Sequence, residues 1–245
     1  MIVITFAIPD ESRDIRRDMH GIARLEEGTV GKLGAAEVLL AHTGVGHEAA
    51  RAAVARVLAR HQPRCVIAAG FAGALDPSLR VGDVIVAENF TTPALLACCR
   101  FPHQLGALTS QPHPVETAEA KRALAATTGA LAVDMETAAI AAECARAGVP
   151  LLAVRAISDA AAEPLPVPFA EWFDMTRQRP RPLSLLRHLA RHPSAIGPFV
   201  SFLRGLPRAR AALGVAVCES VAALLDLGST CVPHVGFGVP PKRTS

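Results

Sequence analysis

The sequence lacks several features that would place it in a well-known class of protein. It contains no tyrosine, so no tyrosine hydroxyl can serve in binding or proton transfer. Its six cysteines are irregularly spaced and form no C-x-x-C pair, which argues against a disulfide framework or zinc site and favours a reducing compartment. No run of 18 apolar residues occurs, so we expect no membrane-spanning helix. Residues Met1–Pro9 lack the basic segment and cleavage pattern of a signal peptide, and we expect a core strand there and a cytoplasmic protein.

Charge is also scarce. Charged residues make up 19% of the chain and the net charge is +3, which is too small to indicate a nucleic-acid partner. Apolar residues make up 51%, enough for a substantial core and too many for a disordered chain. A globular, soluble protein with a substantial core fits this balance.

Strands and helices alternate over residues 1–159. Apolar or β-branched runs at Ile2–Ile8, Val38–His42, Cys65–Ala69 and Val84–Phe90 predict strands, and a glycine-containing meander at Gly21–Ala41 is inserted near the start. This pattern predicts an α/β fold of three layers, with a central mixed, mostly parallel sheet flanked by helices. Ligands of such sheets bind beyond the carboxyl ends of the strands.

The last third of the chain has a different character. No acidic residue occurs from Met175 to Cys218, and apolar spacing predicts two amphipathic helical segments, around 185–189 and 199–206, and a third helix at Ala211–Leu227. We predict a single domain over residues 1–245. It comprises a core of about 1–173, an Arg-rich set of extra C-terminal helices at about 174–227 and a tail at 228–245.

The stretch Leu131–Asp159 carries charges in unusual places. It predicts a strand, a helix that begins at Glu136, and a second strand in which Arg155 is the one charged residue before Asp159 at its end. Buried charges are avoided unless they are paired, so this unit predicts a functional site.

Five motifs in this order resemble the nucleoside phosphorylase/nucleosidase superfamily, most closely its methylthioadenosine/adenosylhomocysteine nucleosidases. They are T-G-V-G at 43–46, A-G-F-A-G-A-L at 69–75, V-G-D-V-I-V at 81–86, V-D-M-E-T-A-A-I-A at 133–141 and V-R-A-I-S-D at 154–159. The resemblance covers about residues 1–173. It implies a purine nucleoside substrate, no metal and no organic cofactor. T-G-V-G also lacks the third glycine of a dinucleotide fingerprint.

The resemblance assigns two carboxylates to the leaving base and the sugar. Asp159 would face purine N7 and act as an acid through a raised pKa, with Ser158 holding it. Spacing alone favours a different interpretation, in which Ser158 or Asp159 caps a helix that begins at Ala160. Glu136, ionised by the helix dipole, would accept hydrogen bonds from the ribose hydroxyls.

Each of these assignments has a structural alternative. Glu136 is also an ordinary first-turn residue, with Asp134 as the helix cap. Met135 would pack against the ribose by resemblance, and core filling explains it nearly as well. Arg155 would lie near the nucleophilic water, on the same strand face as Asp159, or form a buried structural ion pair.

A third carboxylate would activate the nucleophile. Glu11 aligns with the water-activating glutamate of the family, although Asp10 is an alternative base and a helix cap is a competing explanation. Gly70 permits close backbone approach. Phe71 replaces a polar residue of the relatives, and we place it in the binding site. His113 aligns with the purine-stacking loop, where a surface position is the competing interpretation.

We therefore predict a nucleosidase that hydrolyses the N-ribosyl bond of a 5'-modified adenosine-type nucleoside. The nucleophile is water or phosphate, and the apolar Phe71 favours water. A phosphate-dependent phosphorylase is the first alternative, and a non-catalytic nucleoside-binding or membrane-peripheral protein is the second. We expect the pocket for the 5'-substituent to be lined by Thr91–Gly106 and the C-terminal helices.

Two partner predictions concern the C-terminal helices. Residues 183–210 combine basic charge with apolar stripes, which permits peripheral contact with an anionic membrane or an ordinary exposed surface. Their layout resembles the hopanoid-associated branch of the family, which implies a lipid-linked nucleoside such as adenosylhopane. Family resemblance also implies a homodimer, for which the apolar residues past Ala211 are a candidate contact.

Overall fold

Most of the strands belong to one large sheet. A computed structural model describes residues 1–226, so the predicted tail at 228–245 lies outside the described residues. The strands of this part of the chain are β1 (Ile2–Phe6), β2 (His20–Arg24), β3 (Thr29–Leu33), β4 (Ala36–His42), β5 (Val66–Ala74), β6 (Val84–Ala87), β7 (Gln104–Gly106), β8 (Leu108–Ser110), β9 (Ala132–Asp134), β10 (Leu151–Asp159), β11 (Phe173–Asp174) and β12 (Arg179–Pro180).

The helices follow the same chain order. They are α1 (Arg13–Asp18), α2 (His47–Arg60), α3 (Ala118–Thr128), α4 (Thr137–Ala147), α5 (Phe169–Trp172), α6 (Pro182–Arg191) and α7 (Ile196–Asp226), with short 3₁₀ helices at Pro93–Cys98 and Pro193–Ala195. The α4 helix ends where predicted, because Gly148 adopts the left-handed conformation that terminates it. Within residues 1–226, no helix combines the length and apolar character needed to cross a membrane.

The centre of the sheet is parallel, and an antiparallel pairing adjoins it on each side. The order is β2-β3-β4-β1-β5-β10-β6-β7, and β9 pairs with the end of β5 and with β8. Strands β4, β1, β5 and β10 run parallel, whereas β2 and β3 form the predicted meander and β6 runs antiparallel to β10. The predicted mixed, mostly parallel sheet is confirmed.

Helices cover both faces of this sheet. Alternate residues of β1 enter different cores: Ile2 and Ile4 pack with residues of α1 and α7, whereas Val3 packs with residues of α2 and α4. Successive side chains of a strand point to opposite faces, so the sheet lies between two helical layers. This is the predicted three-layer architecture.

The prediction of separate helices at 199–206 and 211–227 is wrong. Both segments belong to the continuous helix α7, which has Pro207 in its interior. Proline removes one helical hydrogen bond and normally interrupts a helix. Here the second half of α7 is held by packing, because Leu213, Val217 and Val221 are buried in the core shared with the sheet. Burial of this apolar stripe outweighs the local preference of the proline.

Candidate active site

A cavity of about 270 Å³ opens at the carboxyl ends of β1, β5 and β10. Parallel strands bring their carboxyl ends to one edge of the sheet, which is where the sequence predicted the site. Among the described lining residues, all those with a carboxylate or a fixed positive charge are acidic, and the remainder of the lining is mainly apolar. The acidic residues are Asp10, Glu11, Asp134, Glu136 and Asp159.

Glu11 is held by backbone N–H groups of the loop that follows β1 and of strand β5. Its Oε1 accepts a hydrogen bond from Phe71 (2.8 Å), and its Oε2 accepts from Ala7 (2.8 Å) and Ile8 (3.0 Å). Burial raises the pKa of Glu11, and those hydrogen bonds together with the charge of Arg155 oppose the rise. Asp10, the alternative base, is exposed and pairs with Arg210 at 3.1 Å, so the structure favours Glu11.

Gly70 makes the close approach of these groups possible. A Cβ atom at this position would lie 3.1 Å from Oε1 of Glu11 and 3.3 Å from Nη1 of Arg155. A side chain here would displace the carboxylate or the guanidinium. The contribution of Phe71 is twofold, because its backbone fixes Glu11 and its ring lines the cavity.

Glu136 lies at the position before the first residue of α4, and its side chain points into the cavity. Its Oε1 accepts a short hydrogen bond of 2.6 Å from the N–H of Gly46, which has a positive φ of 92° that favours glycine. Burial, reinforced by the negative charge of Asp134, raises the pKa of Glu136 to about 8. Met135 lines the cavity beside it.

Arg155 forms a buried network beneath these carboxylates. Its Nε donates to Oδ2 of Asp134 at 2.9 Å, its Nη2 donates to Oγ1 of Thr137 at 2.7 Å, and its Nη1 donates to the carbonyl of Ala68 at 3.0 Å. Asp134 also accepts from the N–H of Thr137 at 3.0 Å and so caps α4. The buried ion pair of the structural alternative is present, and the guanidinium also lies close enough to Glu11 for its charge to act on that carboxyl.

Asp159 has a partner on each carboxylate oxygen. Ser158 donates to its Oδ1 at 2.6 Å, and Nζ of Lys121 lies 2.5 Å from its Oδ2. Lys121 belongs to α3 and is only 1% exposed. Asp159 therefore forms an ion pair inside the protein at the edge of the cavity.

The outer wall of the cavity is aromatic and aliphatic. It comes from the segment between β10 and β12 and from the first half of α7. The residues are Leu165, Phe169, Trp172, Phe173, Phe199, Phe202, Leu203 and Leu206. Phe169 and Trp172 are in edge contact, with ring centroids 4.6 Å apart. His113 lies on the rim beside this wall.

A family model described as the phosphorylase superfamily matches residues 2–95 and 91–189. The chain belongs to the phosphorylase superfamily. The match includes every strand of the large sheet and the acidic part of the cavity.

Curated relatives in this superfamily are similar over most of their own length. The chain is 28% identical to a 5'-methylthioadenosine/S-adenosylhomocysteine nucleosidase of Tolumonas auensis, over 59% of this chain and 78% of that protein. It is 26% identical to the nucleosidase of the same name from Staphylococcus epidermidis, over 71% of this chain and 92% of that protein.

Solved structures show the same fold at lower identity. The nucleosidase of Colwellia psychrerythraea, in complex with adenine, matches with a TM-score of 0.70 at 20% identity and covers 91% of this chain and 95% of its own. Futalosine hydrolase of Helicobacter pylori matches with a TM-score of 0.64 at 19% identity, over 92% and 97% of the two chains.

In this fold two of the expectations drawn from the sequence fail, and a third is opposed by the electrostatics of the site. No helix begins at Ala160, so the capping interpretation of Ser158 and Asp159 fails. A β-bulge between Ile157 and Asp159 interrupts strand alternation, which invalidates the argument that Arg155 and Asp159 share a face. Burial, and after it the charge of Asp134, raises the pKa of Glu136, which opposes the ionised form expected from the helix dipole.

The pocket lining was predicted only in part. Among the described residues, the C-terminal segments line the cavity as expected, whereas the stretch Thr91–Gly106 contributes no lining residue and instead contains a 3₁₀ helix and β7. Sequence reasoning missed Lys121 and Thr137, because each looks like an ordinary helix residue. The aromatic cluster Phe169–Trp172–Phe173 was a detectable signal, since aromatic residues are only 4% of this chain.

Proposed function

We propose that this protein is a purine nucleosidase that hydrolyses the N-ribosyl bond of a 5'-modified adenosine-type nucleoside. The observation that carries the proposal is the convergence of Glu11, Glu136 and Asp159 on one cavity at the strand ends. Cleavage of such a bond requires a nucleophile activated on one side, stabilisation of a cationic sugar and a proton for the leaving base. Three carboxyl groups on different elements match these three tasks. The relatives named as nucleosidases support the same reaction.

Glu11 is the proposed base for the attacking water. Its two oxygens are fixed by three backbone donors, which orients the carboxylate without a conformational change during reaction. A raised pKa makes a carboxylate a better proton acceptor, because the most effective base has a pKa near the working pH.

Glu136 is the proposed partner of the ribose, with Met135 against the sugar. In the free protein the raised pKa of Glu136 favours its protonated form at neutral pH. The oxygens of this carboxyl carry partial negative charge, so their interaction with a sugar that develops positive charge strengthens as the bond breaks, with no proton transfer at Glu136. Asp159, held by Ser158, is the proposed contact to N7 of the base, with His113 at the rim.

Water is a better fit than phosphate as the nucleophile. Among the described lining residues there is neither lysine nor arginine, and Arg155 is bonded to Asp134, Thr137 and backbone carbonyls. The N–H groups of Ala7, Ile8 and Phe71 are already bonded to Glu11. A phosphate dianion would meet carboxylates with no fixed cation of its own.

The aromatic and aliphatic wall favours an apolar 5'-substituent. Burial of apolar surface contributes about 25 cal/mol per Å², so an alkyl or alkylthio group would gain affinity against these side chains that a free 5'-hydroxyl would not. Phe199 and Phe202 of α7 make this wall extend past the part of the chain that the family motifs cover.

Membrane contact was predicted for residues 183–210. We propose it only for the exposed surface of α6. Leu183 and Leu186 of α6 are 81% and 66% exposed, and Arg187 and Arg191 lie on the same short helix. Exposed apolar residues beside basic ones favour the surface of an anionic membrane. At the far end of the range Ala209 is buried, so it is not available for such a contact.

A vesicle assay tests this surface. Co-sedimentation with phosphatidylcholine vesicles that contain phosphatidylglycerol should fall in Leu183→Ser/Leu186→Ser and stay unchanged in the control Val215→Ser, which alters another exposed apolar residue. Equal binding by all three proteins would exclude the membrane surface. The predicted homodimer and cytoplasmic location stay predictions. Leu213 and Val217, which were candidates for a dimer contact, are buried in the protein's own core.

The decisive experiment measures base release with and without phosphate. Adenosine, inosine, 5'-methylthioadenosine and longer 5'-alkylthio analogues should be compared, with chromatographic detection of base and sugar. We expect adenine and free sugar without phosphate, with a preference for apolar 5'-groups. Ribose 1-phosphate products that require phosphate would establish a phosphorylase instead. Asp159→Asn and Glu11→Gln should each lower the rate by a factor of about 10²–10⁴. If the protein is non-catalytic, the wild type itself will release no base.

A further inference from the structure

Lys121 is a buried cation that the proposed reaction does not yet use. It lies in α3, whose other charged residues are exposed, and its side chain is 1% exposed. Arg155 is also fully buried, but it is bonded to the network beneath Glu11 and Glu136. Lys121 instead approaches the cavity from the side of the leaving base, because its carboxylate partner is Asp159.

All three protons of the ammonium group have acceptors. Nζ lies 2.5 Å from Oδ2 of Asp159, 2.8 Å from the carbonyl of Ala160 and 2.8 Å from the carbonyl of Glu163. Three acceptors arranged around one nitrogen fix its position, since lysine has three donors and no acceptor. Lys121 therefore joins the side chain of Asp159 to the turn that follows it.

The same helix region also fixes the start of the apolar wall. Glu116, just before α3, accepts a 2.6 Å hydrogen bond from the N–H of Phe169, and its carbonyl accepts from the N–H of Leu165 at 2.8 Å. Both Leu165 and Phe169 line the cavity. The start of α3 thus supports the Asp159 carboxylate and the wall next to it.

A contribution to the stability of the fold does not by itself explain the buried ion pair of Lys121 and Asp159. Desolvation of two charges can cost more than their attraction returns, and apolar residues of similar volume are often at least as stabilising. A buried pair at the edge of a reactive cavity has a better use, since one partner changes its charge when a proton moves.

We propose that Lys121 is a positioning residue that holds Asp159 and balances the negative charge that forms on it during base release. This inference rests on the proposed function. Asp159 takes up one proton from solvent with substrate binding. When the N-ribosyl bond breaks, its electron pair passes to the purine, and the proton passes from the Asp159 carboxyl to N7. Water adds to C1' and gives its proton to Glu11. Lys121 keeps its own protons, and its ammonium faces the carboxylate that remains on Asp159.

The kinetics of Lys121→Met should separate this role from a general loss of structure. For a purine nucleoside we expect kcat to fall by about 10²-fold or more, with KM within about threefold of the wild type, because the charge that Lys121 balances forms only as the bond breaks. A 4-nitrophenyl riboside has a leaving group that needs no protonation, so its cleavage should fall by less than about tenfold. The matched control is Arg122→Met, which removes an exposed cation from the same helix. This variant should cleave both substrates at the wild-type rate.

A double-mutant cycle supplies an independent test. If Lys121 acts through Asp159, Lys121→Met/Asp159→Asn should have the kcat/KM of Asp159→Asn alone, within about threefold. The double variant also removes both buried charges, so it remains measurable if Lys121→Met alone does not fold. A further loss of about tenfold or more in the double variant, or equal losses of Lys121→Met on both substrates, would overturn the inference. Absence of base release by the wild-type protein would instead overturn the proposed function.

Discussion

The raised pKa of Glu136 should make the stability of the substrate-free protein depend on pH. The folded protein holds a proton on this carboxyl up to a pKa of about 8, whereas the unfolded chain releases it near the ordinary value of 4.5. Because the folded state binds the extra proton, its contribution to stability is full below about pH 4.5 and is lost as the pH rises through about 8. Glu136→Gln should remove this dependence, since an amide has no proton to release and still accepts the hydrogen bond from Gly46.

The expected size follows from the two pKa values. For a single carboxyl that titrates at 4.5 when unfolded and about 8 when folded, the unfolding free energy falls by roughly 3 kcal/mol between about pH 5 and pH 8. Glu11 has a raised pKa as well, so part of the slope should persist in Glu136→Gln. The difference between the two proteins reports the titration of Glu136 together with the changes that its removal causes in its neighbours Asp134 and Glu11.

Urea denaturation at several pH values between about 5 and 8 would measure this difference. Glu48→Gln is the matched control, because Glu48 is an exposed glutamate in the first turn of α2. The difference in unfolding free energy between wild type and Glu136→Gln should change by a few kcal/mol across the range, and that for Glu48→Gln should stay constant. A constant difference for Glu136→Gln would show that burial does not govern its ionisation.

Three further predictions concern the groups around the cavity. Arg155→Met should lower the unfolding free energy by about 3–5 kcal/mol, because it leaves Asp134 buried and unpaired, and chemical denaturation would show a smaller loss in Arg155→Met/Asp134→Asn. Gly70→Ala should lower kcat by about tenfold or more with a normal melting temperature, since its Cβ would lie 3.1 Å from the Glu11 carboxylate; an unchanged rate would contradict the close approach. Phe202→Ala should raise KM for 5'-alkylthio nucleosides by about tenfold while leaving KM for adenosine nearly unchanged, and steady-state kinetics on both substrates would reveal an equal effect if the wall contacts another part of the nucleoside.

The site could be predicted from the sequence at positions where a charged residue lies within or at the end of an apolar segment. Arg155 interrupts an apolar strand, and Asp159 ends it, so both positions implied paired charge before any contact was known. The alternation of strands and helices then placed Glu11 and Asp159 at one sheet edge, which the structure confirms.

Other features depend on packing that no local pattern records. Lys121 is followed by Arg122 in an alanine-rich helix, and nothing in that sequence distinguishes the buried cation from the exposed one. The dipole of α4 predicted an ionised Glu136, but burial and Asp134 reverse that expectation. Apolar spacing predicted separate helices on the two sides of Pro207, whereas tertiary contacts on its C-terminal side keep α7 continuous.

Pro207 separates two halves of α7 that have different surroundings. Residues on its C-terminal side, such as Leu213, interlock with the sheet, so a change there would be felt by the whole fold. Phe199 and Phe202 on its N-terminal side face the cavity, and no residue of that half is fully buried. Pro207 has no N–H group to donate to the carbonyl of Leu203, so one helical hydrogen bond is missing between the two halves of α7. A substitution in the N-terminal half of α7 should therefore change the shape of the cavity while leaving the buried core in place.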